Sequence, residues 1–233
     1  MASNYKRAFT LIELLVVLAV MGLMMGIVGF SLLGGGGAEL GASQRNILGV
    51  LHQARTIAAS TGLETRILIN ADPEDEDRFF RYLEIATRDA NTTDTWNIKR
   101  EGITLNEGVH FVPNNKSISK RAEGWRTNAF CVWSGNDNED FKLTEAFKGK
   151  RKESSGGTIF KFIEFDEAGN LTSPESISGG MPQPLLLVLA NGSPNPGSTS
   201  EKIRFDDPNN IAGILMRKFG GFAVLEISDF EGS

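Results

Sequence analysis

The chain has 233 residues, of which 40% are hydrophobic, and it carries a formal net charge of −5. This length suits one membrane segment and one globular domain of ordinary size, and the acidic balance argues against a generally nucleic-acid-binding surface. The one cysteine, Cys131, excludes an intrachain disulfide, and its apolar neighbours predict a buried, inert thiol.

An uncharged apolar run follows the short basic head Lys6-Arg7-Ala8. Residues 14–33 contain no charge, so the run is long enough to cross a bilayer as one helix. Basic residues before it, with none directly after it, predict a cytoplasmic head and an external remainder. Glu13 stands at the start of the run, where a charge is costly and usually has a partner. The competing interpretation is a signal peptide cut near residues 38–42, although its apolar core would be shorter.

The stretch Phe9-Thr-Leu-Ile-Glu-Leu-Leu-Val-Val resembles, position for position, the N-terminus of type IV pilins and type II secretion pseudopilins. This resemblance implies that a prepilin peptidase cuts between Ala8 and Phe9 and N-methylates Phe9, although Ala8 stands where the family usually has glycine. It also implies that Glu13 pairs with the terminal amine of a neighbouring subunit in a filament. A free amine on Phe9 would be mostly cationic at neutral pH.

The same resemblance implies the partners and the location. The partners are other pseudopilins or pilins, the prepilin peptidase, an inner-membrane assembly platform and the membrane. The location is the bacterial inner membrane, crossed once, with the C-terminal domain in the periplasm. A cytoplasmic assembly ATPase is implied in the same way.

Four glycines at residues 34–37 follow the apolar run. Each costs a helix about 1 kcal/mol relative to alanine, so the helix either breaks here or continues weakly. From Glu39 onward apolar residues recur at helical spacing, which predicts an amphipathic helix that lays one face on the following domain. Gly62 is placed to end this helix. The apolar positions are Leu40, Ile47, Leu51, Ala54 and Ala58.

Alternating patterns predict strands over residues 63–70 and 79–87. Between them, residues 71–77 form an acidic stretch with one proline. Carboxylates are ligands that Ca²⁺ accepts, but the spacing matches no EF-hand loop, so a solvated hairpin tip is favoured. The same interpretation applies to residues 206–210.

Residues 103–112 predict two short strand pieces around an Asn-Glu-Gly turn, and residues 158–171 predict a strand that enters a tight turn. Both stretches resemble the H-type minor pseudopilins (the GspH/FimT-like group). His110 alternates with Val109 and Phe111, so we expect it on the polar face of a strand without a ligand role. His52 lies on the predicted helix with no second ligand within reach in the sequence.

Residues 113–157 are the least regular part of the chain. They contain Lys116, Lys120, Arg121 and the run Lys148-Gly-Lys-Arg-Lys152. Such runs can bind phosphate backbones, but acidic residues intervene, so a solvated loop is favoured. We expect Trp125 and Trp133 to anchor this loop on the sheet.

The C-terminal part contains two further strand signals. Residues 184–190 are continuously apolar, which is typical of a strand buried on both faces. Residues 211–218 and 222–227 flank Gly220-Gly221, a strong hairpin signal.

These patterns predict an α+β fold, in which a long N-terminal helix packs on an antiparallel β-sheet domain. The predicted regions are a leader (1–8), a transmembrane or filament-core helix (9–33), a glycine break with an amphipathic helix (34–61) and an extracytoplasmic β domain (62–233). No catalytic motif is present, and we expect neither an enzyme nor a metal or other cofactor.

The predicted function is that of a pseudopilin-like structural subunit. One alternative is a FimT-like minor pilin that binds DNA during uptake, although nucleic acid is not the favoured partner. Its candidate contacts are Lys148, Lys150, Arg151 and Lys152, or Arg217 and Lys218. The other alternative is a membrane-anchored hydrolase with an unrecognised site.

Overall fold

The structure is a computed structural model. It describes residues 11–112, 141–146, 149–173, 177–178, 181–182, 185–195, 197–198, 202–205, 210–219 and 221–230, without the side chains of 23–36 and of 173–182. The predictions for Cys131, Trp125 and Trp133 lie outside these residues. So do those for Lys116, Lys120, Arg121, Lys148 and residues 206–209.

One helix, α1, spans Leu11–Thr61. It runs through residues 34–37 without interruption. Gly62 ends the helix as predicted: its φ is 62°, and its N–H donates to the carbonyl of Ala58 at 2.9 Å. The chain divides into two compact units, the N-terminal segment Met1–Ala38 and the C-terminal domain Glu39–Ser233.

The described strands all belong to the C-terminal domain. They are β1 (Thr65–Asn70), β2 (Tyr82–Arg88), β3 (Thr95–Thr104), β4 (Val109–Phe111), β5 (Phe141–Ala146), β6 (Lys150–Glu153), β7 (Thr158–Phe165), β8 (Leu171–Ser173), β9 (Ile177–Ser178), β10 (Met181–Pro182), β11 (Leu185–Pro194), β12 (Ile203–Phe205), β13 (Ile211–Met216) and β14 (Phe222–Leu225). A short 3₁₀ turn, Ile227–Asp229, follows β14.

The first sheet has the order β1-β2-β3-β6-β5-β7-β8, and β1 also pairs with β7. Six strands therefore close into a ring, and every pairing in it is antiparallel. Both faces of β1 are buried because Ile67 and Ile69 face the main core, whereas Leu68 joins a second cluster around Trp96.

The second sheet is built around β11. This strand pairs with β13 along residues 185–190 on one edge, and with β4 and β12 on the other. The hairpin predicted at the C-terminus is confirmed, since β13 pairs with β14 across residues 213–225. The strand predicted to be buried on both faces is β11, and five of its first six residues are buried.

The predicted amphipathic face of α1 is confirmed. Leu40, Ile47, Leu51, Ala54 and Ala58 are all buried in the main core with residues from both sheets. The architecture is the predicted α+β arrangement, a helix packed on antiparallel sheet. The C-terminal half of α1 supplies one wall of this core.

Three predictions about strands were wrong. Residues 141–146 and 150–153 form β5 and β6, not an irregular loop. The strand predicted from residue 79 begins at Tyr82, because Phe79 and Phe80 lie in the preceding turn. Phe80 has a positive φ of 49°, which a strand does not allow. Strand β3 starts at Thr95, well before the predicted piece at residue 103.

Candidate functional site

Apart from Glu13, the described start of the N-terminal segment is apolar on every side. Residues 11–22 are exposed all round the helix, and Leu11, Ile12 and Leu18 have relative exposures of 82%, 70% and 61%. A helix that is apolar on all sides is stable in water only when something covers it, either lipid or other helices. Within the residues that the structure describes, no helix is both long and apolar enough to span a membrane.

Glu13 lies in the first turn of α1 and is exposed. Ala8 and Phe9 lie outside the described residues, so cleavage and N-methylation stay predictions. The pairing of Glu13 with a neighbour's amine also stays a prediction. The neighbouring side chains of Ile12 and Leu14 are exposed as well.

The C-terminal half of α1 is fixed to the domain by polar contacts that the sequence pattern did not indicate. Buried Gln44 donates through Nε2 to the carbonyls of Gly213 at 2.7 Å and Leu225 at 3.0 Å. The N–H of Asn106 donates to Ser43 Oγ at 3.2 Å. A buried amide in the middle of an apolar stripe was the available signal, because such groups are hydrogen-bonded.

A cluster of carboxylates and arginines lies where β1 meets β7. Arg66 Nε contacts Glu164 Oε2 at 2.5 Å, and its Nη2 contacts Glu64 Oε1 at 3.2 Å. Arg88 Nε reaches Glu64 Oε2 at 3.0 Å, and Thr172 Oγ1 donates to Glu164 Oε1 at 2.9 Å. This group forms one network across four strands and the turn before β1.

The Arg66 guanidinium also stacks against three aromatic rings. It lies 4.3 Å from the ring centroid of Trp96, 4.6 Å from that of Phe141 and 4.0 Å from that of Phe162. Cation–π contacts of this kind favour the charged guanidinium where it is partly desolvated. Arg66 therefore joins the second apolar cluster to the carboxylates.

The two carboxylates share their protons unequally. Burial, together with a hydrogen bond to Glu164, raises the pKa of Glu64 to about 7. Burial alone would raise the pKa of Glu164, but the hydrogen bond with Glu64 and the Arg66 charge outweigh it and lower that pKa. One proton held between the pair explains the opposite directions.

A cavity of about 380 Å³ opens beside this pair. Its lining residues are mostly acidic: Glu64, Glu164, Asp166, Glu167, Ala168 and Thr172. The hydrolase alternative requires such a polar-lined pocket, and two carboxylates with divergent pKa values are typical of acid–base pairs. Here, however, both carboxylates are held by arginines and Thr172, so the network has a sufficient structural explanation.

The basic run of the DNA alternative is neutralised in the described part. Lys150 Nζ lies 2.6 Å from Asp89 Oδ2 and Lys152 Nζ lies 3.2 Å from Asp94 Oδ2. Hydrogen bonds from Lys150, Asn91 and Asn97 lower the pKa of Asp89 to about 2. Cations already paired release few counterions on binding a phosphate backbone.

Arg151 of the same run points into the structure. Its Nε lies 2.5 Å from Glu84 Oε1; Glu84 is buried and Arg151 is half-buried. The predicted solvated loop is therefore wrong for residues 150–152. They form a strand whose three cations each meet a carboxylate.

His110 is buried, so its predicted place on a polar strand face was wrong. Its ring packs edge-on against Phe205 with centroids 6.4 Å apart, and Nδ1 lies 3.2 Å from the carbonyl of Gly108. Burial and the nearby Arg81 charge lower its pKa to about 4. His110 is neutral at physiological pH and has an ordinary packing role.

The acidic residues 71–77 connect β1 to β2, which confirms the predicted hairpin tip. Glu74, Glu76 and Asp77 are exposed. Among the described residues, no group of three or more His, Cys, Asp or Glu side chains is arranged to hold a metal ion.

Comparison with known proteins gave one sequence match and a likeness of fold. Residues 3–29 match the family model of the prokaryotic N-terminal methylation motif, which confirms the resemblance predicted for the N-terminus. No curated protein matches the chain.

Two solved structures of the minor pseudopilin EpsH from the type II secretion system of Vibrio cholerae are similar to this chain. One has a TM-score of 0.38 at 13% identity and covers 81% of this chain and 97% of that chain. The other has a TM-score of 0.39 at 15% identity, with 82% and 97% covered.

Proposed function

We propose that this chain is a pseudopilin-like structural subunit, processed at its N-terminus and assembled through its apolar helix into a filament. The match of residues 3–29 to the N-terminal methylation motif carries this proposal. The exposed apolar start of α1, with Glu13 in its first turn, supports it.

The mechanism follows from the environment of α1. Before assembly, lipid covers the apolar side chains of residues 9–33, as these residues cross the inner membrane. In the filament, neighbouring helices replace the lipid, so little apolar surface meets water in either state. The filament favours assembly through Glu13, because a carboxylate in an apolar environment requires a matching charge. The amine on Phe9 of an adjacent subunit supplies it.

The C-terminal domain faces the periplasm and contributes surface contacts between subunits. In this proposal the prepilin peptidase and an inner-membrane assembly platform act on the chain. The H-type resemblance of residues 103–112 and 158–171 supports a place in a type II secretion pseudopilus. A type IV pilus-like filament fits the N-terminus equally well. No enzymatic step is needed in this mechanism.

The test is the N-terminus of the protein isolated from its native cells. Intact-mass and peptide mass spectrometry should find a chain that begins at Phe9 and carries one additional methyl group. The variant Ala8→Arg, made as a control, should keep Met1–Ala8 and migrate as a slower band. A mature chain that still begins at Met1, or one that begins after Leu33, overturns the proposal.

A further inference from the structure

The hairpin between β13 and β14 ends in an exposed basic and aromatic tip, Arg217-Lys218-Phe219. The Phe219 side chain is 78% exposed, and Arg217 and Lys218 are exposed as well. Neither cation forms an ion pair with any described residue. An exposed aromatic ring next to an exposed arginine is typical of a protein-binding surface.

This tip lies at the end of the domain where α1 finishes. The hairpin runs along the helix: Gly213 and Leu225 contact Gln44, and Phe222 packs on His52 with centroids 5.0 Å apart. At the tip, the carbonyl of Lys218 accepts from the N–H of Leu171 at 2.9 Å.

The turn before Leu171 confirms this placement. A side chain on Gly169 would meet Arg55 O at 3.1 Å and Ala59 Cβ at 3.4 Å. The tip therefore stands beside the last turns of α1, at the opposite end of the domain from Glu39.

The opposite end of the domain carries the acidic loop, residues 71–77. The loop follows Asn70, whose carbonyl accepts a hydrogen bond from the N–H of Phe80. The carbonyl of Arg81, the residue after Phe80, accepts one from the N–H of Leu105. Asn106 then contacts Ser43. Ser43 precedes Arg55 by 12 residues of helix, which is about 18 Å at 1.5 Å per residue.

The acidic loop has the negative charge and the apolar surface that would complement the tip. Its carboxylates outnumber its one adjacent cation, Arg78, which lies 4.0 Å from Asp75. Half-buried Pro73 within the loop and half-buried Phe79 just after it supply apolar surface. The carboxylates are Asp72, Glu74, Asp75, Glu76 and Asp77.

We propose that the tip of one copy of this chain docks on the acidic loop of a second copy, head to tail along the direction of α1. Opposite charge, and an aromatic ring facing the apolar surface of Pro73 and Phe79, provide the complementarity. Because the two surfaces lie at opposite ends, the contact is heterologous and repeats from copy to copy. Such a small contact is weak alone and takes effect once the helices hold the copies at high local concentration. The inference rests on the proposed function for that assembly.

Cross-linking of the full-length chain in its native cells tests the contact. Lys218→Cys and Glu76→Cys are introduced into separate copies, each with Cys131→Ser, and a short bis-maleimide is added. We expect a cross-linked dimer only when both copies are present. Absence of that dimer overturns the inference.

Charge reversal then tests the chemistry of the contact. Arg217→Glu in the Lys218→Cys copy should reduce the dimer about tenfold, because like charges then face each other. Glu74→Lys in the Glu76→Cys copy should restore it. The matched controls Lys99→Glu and Glu101→Lys reverse exposed charges on β3 and should neither reduce nor restore the dimer. If Arg217→Glu leaves the dimer yield unchanged, or if Glu101→Lys restores that yield, the inference is overturned.

The N-terminus of the same cross-linked samples separates the two proposals. If Phe9 is the processed terminus and no dimer forms, the docking inference fails and the proposed function stands. If the chain is unprocessed, the proposed function fails whatever the cross-linking shows.

Discussion

Removal of the Arg66 guanidinium is the sharpest perturbation of the domain. In Arg66→Leu, Glu64 and Glu164 lose a charge partner that lies 3.2 and 2.5 Å from them, and three aromatic rings lose their cation. The Arg66 and Glu164 side chains are only 12% and 16% exposed. The variant therefore takes the arginine partner from half-buried Glu164, whereas Glu64 keeps its ion pair with Arg88.

Breaking a buried ion pair on one side costs about 3–5 kcal/mol. Because these side chains keep some exposure, we expect about 3 kcal/mol at neutral pH. With a slope of about 2–3 kcal/mol per M, the urea midpoint should fall by about 1–1.5 M. The assay is equilibrium unfolding of residues 39–233, followed by Trp fluorescence.

The pH dependence of the stability loss is a second, independent test of this network. In the wild type, the raised pKa of Glu64, about 7, contributes stability that is complete at low pH and is lost as pH rises through 7. The lowered pKa of Glu164 contributes stability that is lost as pH falls. Without Arg66 both carboxylates favour the protonated form, so the loss of stability in Arg66→Leu should be smaller at pH 5 than at pH 8.

Two variants accompany this measurement. Arg66→Leu with Glu64→Gln and Glu164→Gln should regain part of the loss, because neutral amides replace the two carboxylates that lost Arg66. Arg100→Leu removes an exposed arginine bonded to Gln53 and should change stability by about 0.5 kcal/mol or less. If Arg66→Leu is no less stable than Arg100→Leu, or its deficit is equal at pH 5 and 8, the account of this network is refuted.

Three further predictions concern assembly, packing and nucleic acid. Glu13→Ala should insert in the membrane normally yet be absent from the sheared filament fraction; normal incorporation would refute the charge pairing. Leu51→Ala, at a fully buried position on α1, should cost about 2–5 kcal/mol in urea unfolding, and a cost below 1 kcal/mol would contradict the packing of α1. Residues 39–233 should not shift duplex DNA in a gel at low salt, because Lys150, Arg151 and Lys152 are already paired and the two exposed cations Arg217 and Lys218 alone neutralise too few phosphates; a salt-sensitive shift would revive the DNA alternative.

Local sequence patterns predicted those parts of the fold that neighbouring residues determine. The spacing of Leu40, Ile47 and Leu51 indicated which face of α1 is buried, and Gly62 marked its end. Gly220-Gly221 indicated the last hairpin. In each case the signal and the structure lie within a few residues of each other, so periodicity and turn chemistry decide the outcome.

The remaining features depend on distant partners. Strand β6 is Lys-Arg-Lys-Glu, with no apolar alternation, and it forms because Glu84, Asp89 and Asp94 lie on or beside the neighbouring strands. Arg66 lies in the strand predicted over residues 63–70, and nothing local in the sequence indicates its environment. It is enclosed because β7, nearly 100 residues away, pairs with β1 and closes the ring. Such tertiary context overrides strand propensity.

The same limit applies to the candidate site. The N-terminal motif is contiguous, so the sequence alone predicted Ala8, Phe9 and Glu13 and the resemblance that the match over residues 3–29 supports. The hairpin tip and the acidic loop are 140 residues apart, and only the direction of α1 places them at opposite ends. Sequence reasoning identified both stretches but had no means to relate them.

The most direct test of the central claim is the mass of the N-terminal peptide from the filament fraction of native cells. The account predicts a peptide that begins at Phe9, contains Glu13 and carries one methyl group. A peptide from that fraction that still includes Met1–Ala8 would contradict it.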